Sequence, residues 1–387
     1  MKVGPTTTAD TITVADTAIV VSTLFPIVIV QPTTLCNLDC GYCYLPHRRR
    51  NELMTQDVAR SVVASIDEQG ANHPTAVVWH GGEPLATPIA HFRDLLETFE
   101  DLRRRGAVEH NVQTNATLIT SDWCELVKRY SISVGISVDG PRRLNRDRVD
   151  RSGRETHDRA LHGVRLLRDA GINFSAICVV TPQTIGEVDS IVAFFDDLGS
   201  DSVGFNIEER EGVSTARPMV EPEQAYLFWQ RLLELRASGS PLRIREFDRL
   251  ASYVLDDQAR RAPVIDTVPA VGHDGSVVLL SPELAGIRDK RYDDFIAGNV
   301  LTESIPAILR RAHRLRYFRE FAHAVAKCAA ACEFYDFCRG AHASNRYFET
   351  GTFTTMETSF CRSTQQALVR AAVDLLPAAK QPKRSQR

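Results

Sequence analysis

The sequence lacks a large charge of one sign. Its 387 residues carry 46 Lys and Arg against 49 Asp and Glu, a formal net charge of −3. Neither a nucleic acid nor a membrane surface is therefore its expected partner. A long apolar run is also missing. Residues 17–30 come nearest, but Ser22, Thr23 and Pro26 interrupt them, whereas a spanning helix needs about 20 apolar residues in succession. Nor does the start show the basic segment, apolar stretch and cleavage site of a secretory signal. Residues 17–30 read as strand material and the protein as soluble and cytoplasmic. No low-complexity block interrupts the chain between its ends. What is present is ample apolar material, 43% of residues, which suits two domains better than one.

Nine cysteines stand out: Cys36, Cys40, Cys43, Cys124, Cys178, Cys328, Cys332, Cys338 and Cys361. Disulfide frameworks belong mainly to small secreted domains. Clustered cysteines in a large chain without a signal point instead to metal binding. Cys124 and Cys178 sit in apolar patterns and read as small core residues.

From about residue 27 to 240, β-rich apolar runs alternate with helical segments. The runs fall at 27–31, 76–80, 111–115, 131–138, 173–180 and 202–207, with helices expected at 56–68, 121–130, 157–170 and 185–198. Such alternation predicts right-handed βαβ units, a parallel sheet and an α/β fold, either an incomplete (β/α)6 barrel or a curled open sheet. Active sites of closed barrels lie at the C-terminal strand ends. Beyond residue 245 the alternation stops. A hairpin is expected at 272–280, turning at Asp274 and Gly275. A basic helix is expected over 304–326, and a disordered tail over 377–387.

Cys36, Cys40 and Cys43 follow the first strand. Three thiolates within eight residues suit three irons of a cubane cluster and leave a fourth iron open. Structural zinc wants four ligands, and His47 is the one nearby candidate for the fourth. Strand two ends in Trp79-His80-Gly81-Gly82-Glu83-Pro84. Glycine permits close backbone approach, and a Glu carboxylate can accept from an ammonium. Asn115 and Ser137 end strands three and four, Asp139 follows, and Arg159 lies on the next helix. By residue type alone Asn115 and Asp139 suit loop caps equally well. The second set, Cys328, Cys332, Cys338 and Cys361, suits a cluster or zinc.

The C-x3-C-x2-C spacing with Tyr42, followed by GGEP at the next strand end, resembles the radical SAM superfamily. The second cysteine set resembles the SPASM/twitch extensions of its peptide-modifying members. The stretches QPTTLCNLDCGYCYLP, VWHGGEPL, VGFNIEEREGV, IREF, SPELAG and IAGNV are similar to its cyclophane-forming maturases of ribosomal peptides. The likeness runs from about residue 27 to 365. It departs from the family where relatives often carry His-Asp and this chain has Asn145-Arg146-Asp147.

The resemblance implies an N-terminal extension (1–26), a partial radical SAM barrel (27–240) and a twitch-like auxiliary domain (241–376). It implies a [4Fe-4S] cluster on Cys36, Cys40 and Cys43 that binds S-adenosylmethionine (SAM), with Tyr42, Gly81, Gly82, Glu83, Asn115, Ser137 and Arg159 as cofactor contacts. Full SPASM domains hold two auxiliary clusters, but residues 264–286 contain no cysteine. One auxiliary [4Fe-4S] cluster is therefore expected, on Cys328, Cys332, Cys338 and Cys361. The implied reaction makes a 5′-deoxyadenosyl radical and joins an aromatic ring to a side-chain Cβ of a precursor peptide. A reductant such as flavodoxin or ferredoxin would serve it. Glu283 is the expected catalytic base, because the cysteine-poor hairpin leads straight to it. Formylglycine-type peptide oxidation, or a non-catalytic metal-bearing peptide binder, are the competing readings.

Overall fold

The computed structural model describes residues 11–14, 17, 19–255, 264–265 and 267–376. The expected tail at 377–387 and the first ten residues of the expected extension lie outside them. Among the described residues the strands form two sheets. The smaller joins β1 (Thr11–Thr13), β2 (Val20–Ser22) and β9 (Val264–Ile265). The larger contains β3 (Ile27–Val30), β4 (Thr75–Trp79), β5 (Val108–Thr114), β6 (Ser133–Ser137), β7 (Phe174–Val180) and β8 (Val203–Ile207), side by side in chain order. Every neighbouring pair from β3 to β8 is parallel. The apolar stretch at 17–30 is thus two strands in different sheets. Between them Ser22 Oγ bonds both the N–H and the carbonyl of Leu24, which turns the chain before Pro26.

The connections are helical: α1 (Gln56–Gln69), α2 (Ile89–Thr98), α3 (Glu100–Arg104), α4 (Ser121–Arg129), α5 (His157–Asp169) and α6 (Val188–Leu198). Thr55 and Thr120 cap α1 and α4 through their hydroxyls, satisfying orphan N–H groups at the helix starts. Burial alternates along these strands, so every second side chain is packed into the core. Val28, Val30, Val77, Trp79, Val134 and Val180 are buried accordingly. Cys124 and Cys178 are buried in this core.

After β8 come α7 (Pro222–Ala237) and α8 (Arg245–Leu255). The expected hairpin is present as β10 (Ala270–Val271) and β11 (Ser276–Val278), with β12 (Ile296–Asn299) beside it. β10 pairs in parallel with β3, Ala270 opposite Ile29, so the hairpin extends the barrel sheet. The helix expected over 304–326 is broken. α9 (Ile305–Arg310) ends at a short 3-10 turn, and α10 (Arg316–Ala331) begins after Leu315 adopts extended geometry. The break turns Tyr317 inward, where its hydroxyl accepts from Leu279 N. Then follow α11 (Tyr335–Cys338), α12 (Ala343–Thr350) and α13 (Ala367–Asp374), the last packed on α7.

Candidate functional site

The first cysteine loop is held at the end of β3 by a neighbouring loop. Cys36 N donates to Arg48 O at 2.8 Å, Asp39 N to Val149 O at 2.8 Å and Gly41 N to Asp147 O at 3.0 Å. Arg151 donates twice to Cys36 O, at 3.1 and 2.7 Å. Arg48 pairs with Asp39 of the same loop. Tyr42 reaches the loop after β6, where its hydroxyl donates to Asp139. Asp139 also accepts Arg148 Nε and Nη2, both at 3.0 Å, and Val179 N at 2.9 Å. The Arg148 guanidinium lies 5.4 Å from the Tyr42 ring centre. Burial pushes all three thiols up, so loading a metal there must displace protons.

The end of β4 fits against this loop. Gly82 has φ of 77°, and a Cβ there would lie 2.5 Å from Thr33 O and 2.8 Å from Leu35 O. Only glycine can hold that turn. Glu83 N donates to Leu35 O. Its carboxylate accepts Thr114 Oγ1 at 2.6 Å, Asn115 N at 2.8 Å and Leu85 N at 3.0 Å. Burial raises its pKa against these bonds. Three bonds leave about one of four acceptor sites for a ligand. Asn115 Nδ2 reaches Asn37 Oδ1 at 2.9 Å, tying β5 to the cysteine loop. Gly81 packs on Gln31. Ser137 accepts from Gln113 Nε2 at 2.8 Å. Arg159 is half exposed and pairs with Asp150 at 3.3 Å, whose backbone bridges Leu38. Gly81, Gly82, Glu83 and Asn115 thus gather at the loop, with Ser137 at the adjacent strand end. The Arg159 side chain is engaged with Asp150.

Cys328 lies in the last turn of α10, Cys332 caps it, Cys338 ends α11 and Cys361 precedes α13. All four line one cavity of about 490 Å³. Cys361 is drawn down to about 6, chiefly by a hydrogen bond from Cys338, whose thiol is pushed up in turn. The buried Arg346 guanidinium faces the same cavity and keeps two nitrogens without a hydrogen-bond partner. A zinc ion about 2.3 Å from each thiolate needs sulfurs about 3.8 Å apart. Among the described residues no three cysteine sulfurs lie within 4.8 Å of one another. Four thiols around a roomy cavity, with an unpaired cation beside them, fit an anionic polynuclear cluster better than one ion.

Between the two cysteine sites lies a group of carboxylates. The loop at 208–214 leaves β8 and lies on the first cysteine loop. Val213 N donates to Tyr44 O at 3.1 Å, and a Cβ on Gly212 would clash with that same carbonyl. Tyr44 Oη lies 3.1 Å from His80 Nε2. On its far side the loop meets α12. The Glu211 carboxyl lies 2.9 Å from Ser344 Oγ, and Glu209 accepts from Asn345 Nδ2. Ser344 Oγ lies 2.9 Å from Ser281 Oγ, and Ser281 donates to Glu283. A line of close polar contacts therefore runs from Glu283 through two buried hydroxyls to Glu211; each hydroxyl has one proton, so the line is hydrogen-bonded throughout when Glu211 is protonated and donates to Ser344. Ligand atoms of Glu209, Glu211 and His342 lie within 4.8 Å of one another. Burial, then Glu283 and other neighbouring acids, push Glu209 up to about 8; burial, then Glu209, raise Glu211. Burial lowers His342 and His80. Sequence reasoning placed Glu283 here and missed Glu209, Glu211 and His342. The available signal was the acidic run Glu208-Glu209-Arg210-Glu211 at a strand end.

Residues 30–195 match the radical SAM superfamily. An uncharacterized protein of Synechocystis sp. (strain ATCC 27184 / PCC 6803 / Kazusa) is 32% identical over 90% of this chain and 92% of its own length. A serine-type anaerobic sulfatase-maturating enzyme of Bacteroides thetaiotaomicron is 21% identical over 84% of each chain. Among solved structures, anSMEcpe with bound AdoMet and Cp18Cys peptide superimposes with a TM-score of 0.75 at 22% identity, covering 90% of this chain and 96% of that one. Streptococcus suis SuiB bound to S-adenosylmethionine gives 0.62 at 17% identity, covering 88% and 78%. No helix among the described residues is long and apolar enough to cross a membrane.

Proposed function

The chain belongs to the radical SAM superfamily, enzymes that use a [4Fe-4S] cluster and SAM, and from that premise we propose that it cross-links a ribosomal precursor peptide. The bond joins an aromatic ring to a nearby side-chain Cβ. One observation carries the reading: the carboxylates Glu283, Glu209 and Glu211 lie between two cysteine sites. Forming such a bond removes one hydrogen atom, one electron and one proton, and each needs its own place.

Cys36, Cys40 and Cys43 would hold the SAM-binding cluster, which supplies the 5′-deoxyadenosyl radical. Cys328, Cys332, Cys338 and Cys361 would hold one auxiliary [4Fe-4S] cluster, an electron acceptor with no open iron. The chain's own residues do the rest. The Tyr42, Asp139 and Arg148 contacts fix the first loop. Gly81, Gly82, Glu83, Asn115, Ser137 and Arg159 form and brace the SAM bed. Glu283 takes the proton leaving the ring, with Ser281 and Ser344 linking it to Glu211. A flavodoxin or ferredoxin would deliver electrons in the cytoplasm.

The likeness to sulfatase-maturating enzymes favours a second reading, formylglycine-type oxidation. Both reactions remove two hydrogens. Co-expression with a precursor peptide encoded by any short open reading frame beside the gene, followed by tandem mass spectrometry, separates them. A cross-linked peptide two hydrogens lighter, resisting fragmentation between the joined residues, is expected. A free aldehyde, or free fragmentation along the lighter peptide, would refute the cross-link.

A further inference from the structure

We infer that Arg346 is a built-in counter-cation of the second cysteine site, a positioning residue that neutralises an anionic auxiliary cluster and makes it easier to reduce. The inference rests on the proposal that this site holds a cluster.

Arg346 projects from α12 and is 1% exposed. Its guanidinium stacks over Phe321 of α10, 4.9 Å from the ring centre. Nη2 donates to Gly340 O at 3.0 Å and lies 3.6 Å from Cys328 Sγ. Nε and Nη1 are buried with no partner among the described residues. A guanidinium offers five N–H donors and stays charged at any working pH. Burying one with so few acceptors is unfavourable unless an anion completes it.

No carboxylate among the described residues pairs with Arg346. Glu349 shares α12 but accepts the backbone N–H groups of Ser359 and Phe360. Glu357 lines the cavity from an exposed position and takes Arg362 and Gln366. Glu333 lines it too, and is exposed. The anionic groups left are the thiolates themselves. A four-thiolate [4Fe-4S] unit is net negative and gains one more negative charge on reduction. A fixed buried cation favours the more negative state, so it raises the potential. Arginine suits this place because its planar fork lies over Phe321 while Nη2 reaches Cys328 Sγ. Since ring rearomatisation must discharge an electron, a raised potential at the acceptor favours product.

The test isolates the second site. In the full-length chain, Cys36, Cys40 and Cys43 are replaced together by Ala, and the protein is reconstituted anaerobically. Iron per chain, midpoint potential and the EPR spectrum of the reduced state are then compared for Arg346, Arg346→Gln, Arg346→Lys and a surface control, Arg316→Gln. Arg346→Gln should keep its iron and be at least tenfold harder to reduce, a fall of about 59 mV for one electron, with an altered EPR spectrum. Arg346→Lys should fall between, and Arg316→Gln should match the parent. An unchanged midpoint in Arg346→Gln overturns the inference. If Arg346→Gln loses its iron, Arg346→Lys decides. Restored iron upholds the role of the charge, and a Lys variant equally empty overturns it. Zinc, or no iron, in the parent would instead reject the auxiliary cluster.

Discussion

Glu209→Gln gives a direct reading of the carboxylate chamber. In the folded chain Glu209 rises from its ordinary 4.5 to about 8. Burial is the main cause, and Glu283, Glu349 and Cys361 add to it. The folded state therefore binds this proton more tightly than the unfolded chain does. Its stabilising contribution is complete below pH 4.5 and is lost as pH rises through about 8. At about 1.4 kcal/mol per pH unit, the ceiling is about 5 kcal/mol. The working value is smaller. Glu211 lies beside it and takes up part of the charge, and Glu209 is only partly shielded from solvent. About 1–2 kcal/mol is the reasonable expectation.

Glutamine is neutral at every pH and keeps an amide oxygen to accept from Asn345. Wild type and variant should therefore melt together near pH 5. Near pH 8.5 the variant should melt about 2–4 °C higher, on the order expected for a chain of this size. Anaerobic scanning fluorimetry of the cluster-loaded chain across that pH range is the assay. Parallel curves would show that Glu209 is ionised and solvated at neutral pH, and the chamber would not be the proton-holding site argued above.

Asp139→Asn strands Arg148, which is buried, without its carboxylate. Breaking such a pair should cost about 3 kcal/mol in denaturant unfolding, and a loss below about 1 kcal/mol would contradict the role given to that pair. Gly82→Ala should destabilise by about 2 kcal/mol and lower the iron bound by the first loop, because its Cβ meets Thr33 O and φ is positive; a fully loaded variant would speak against that packing. Glu283→Gln should slow peptide product about tenfold or more while leaving 5′-deoxyadenosine release largely intact, and equal loss of both would remove the residue from the base role. Simultaneous Cys36→Ala, Cys40→Ala and Cys43→Ala should abolish SAM cleavage with little change in circular dichroism, and persistent cleavage would defeat the assignment of the first loop.

The parallel strands were legible because each carries a buried, mostly apolar side chain at every second position. The limit shows at β5. It begins at Val108, three residues before its apolar pattern suggests, because Glu109 and His110 read as loop. His110 is in fact buried and accepts the Trp79 indole N–H at 3.2 Å, a partner no local pattern announces. The pairing of β10 with β3 was not legible either. It joins residues about 240 apart, and the hairpin's own turn signals say only that it folds back on itself. The acidic run after β8 was visible as residues but not as a site. Glu209 and Glu211 acquire a function only when α12, more than 130 residues later, brings Ser344 and Asn345 to them.

The two cysteine sites differ in how their cations are balanced, and that difference bears on the direction of electron flow. Beneath the first loop Arg148 is matched by the Asp139 carboxylate through two bonds, so the pair adds little net field at Cys36, Cys40 and Cys43. Glu83 nearby adds a further negative influence on Cys36. A cluster there would be hard to reduce, as reductive cleavage of SAM requires of its donor. At the second site Arg346 has no such match, and a cluster there would be easier to reduce. With both clusters in place as proposed, this charge balance would favour a low potential where an electron must be given and a higher one where an electron must be taken. On the same proposal the carboxylates between them would take the proton that the electron leaves behind. Removing the Arg346 charge should flatten that gradient without touching Cys36, Cys40 or Cys43. Exchanging Asp139 for Asn would instead unmask Arg148 beside Cys40. Its predicted signature at the first site is a raised potential and slower SAM cleavage, opposite in sign to the effect of Arg346→Gln at the second.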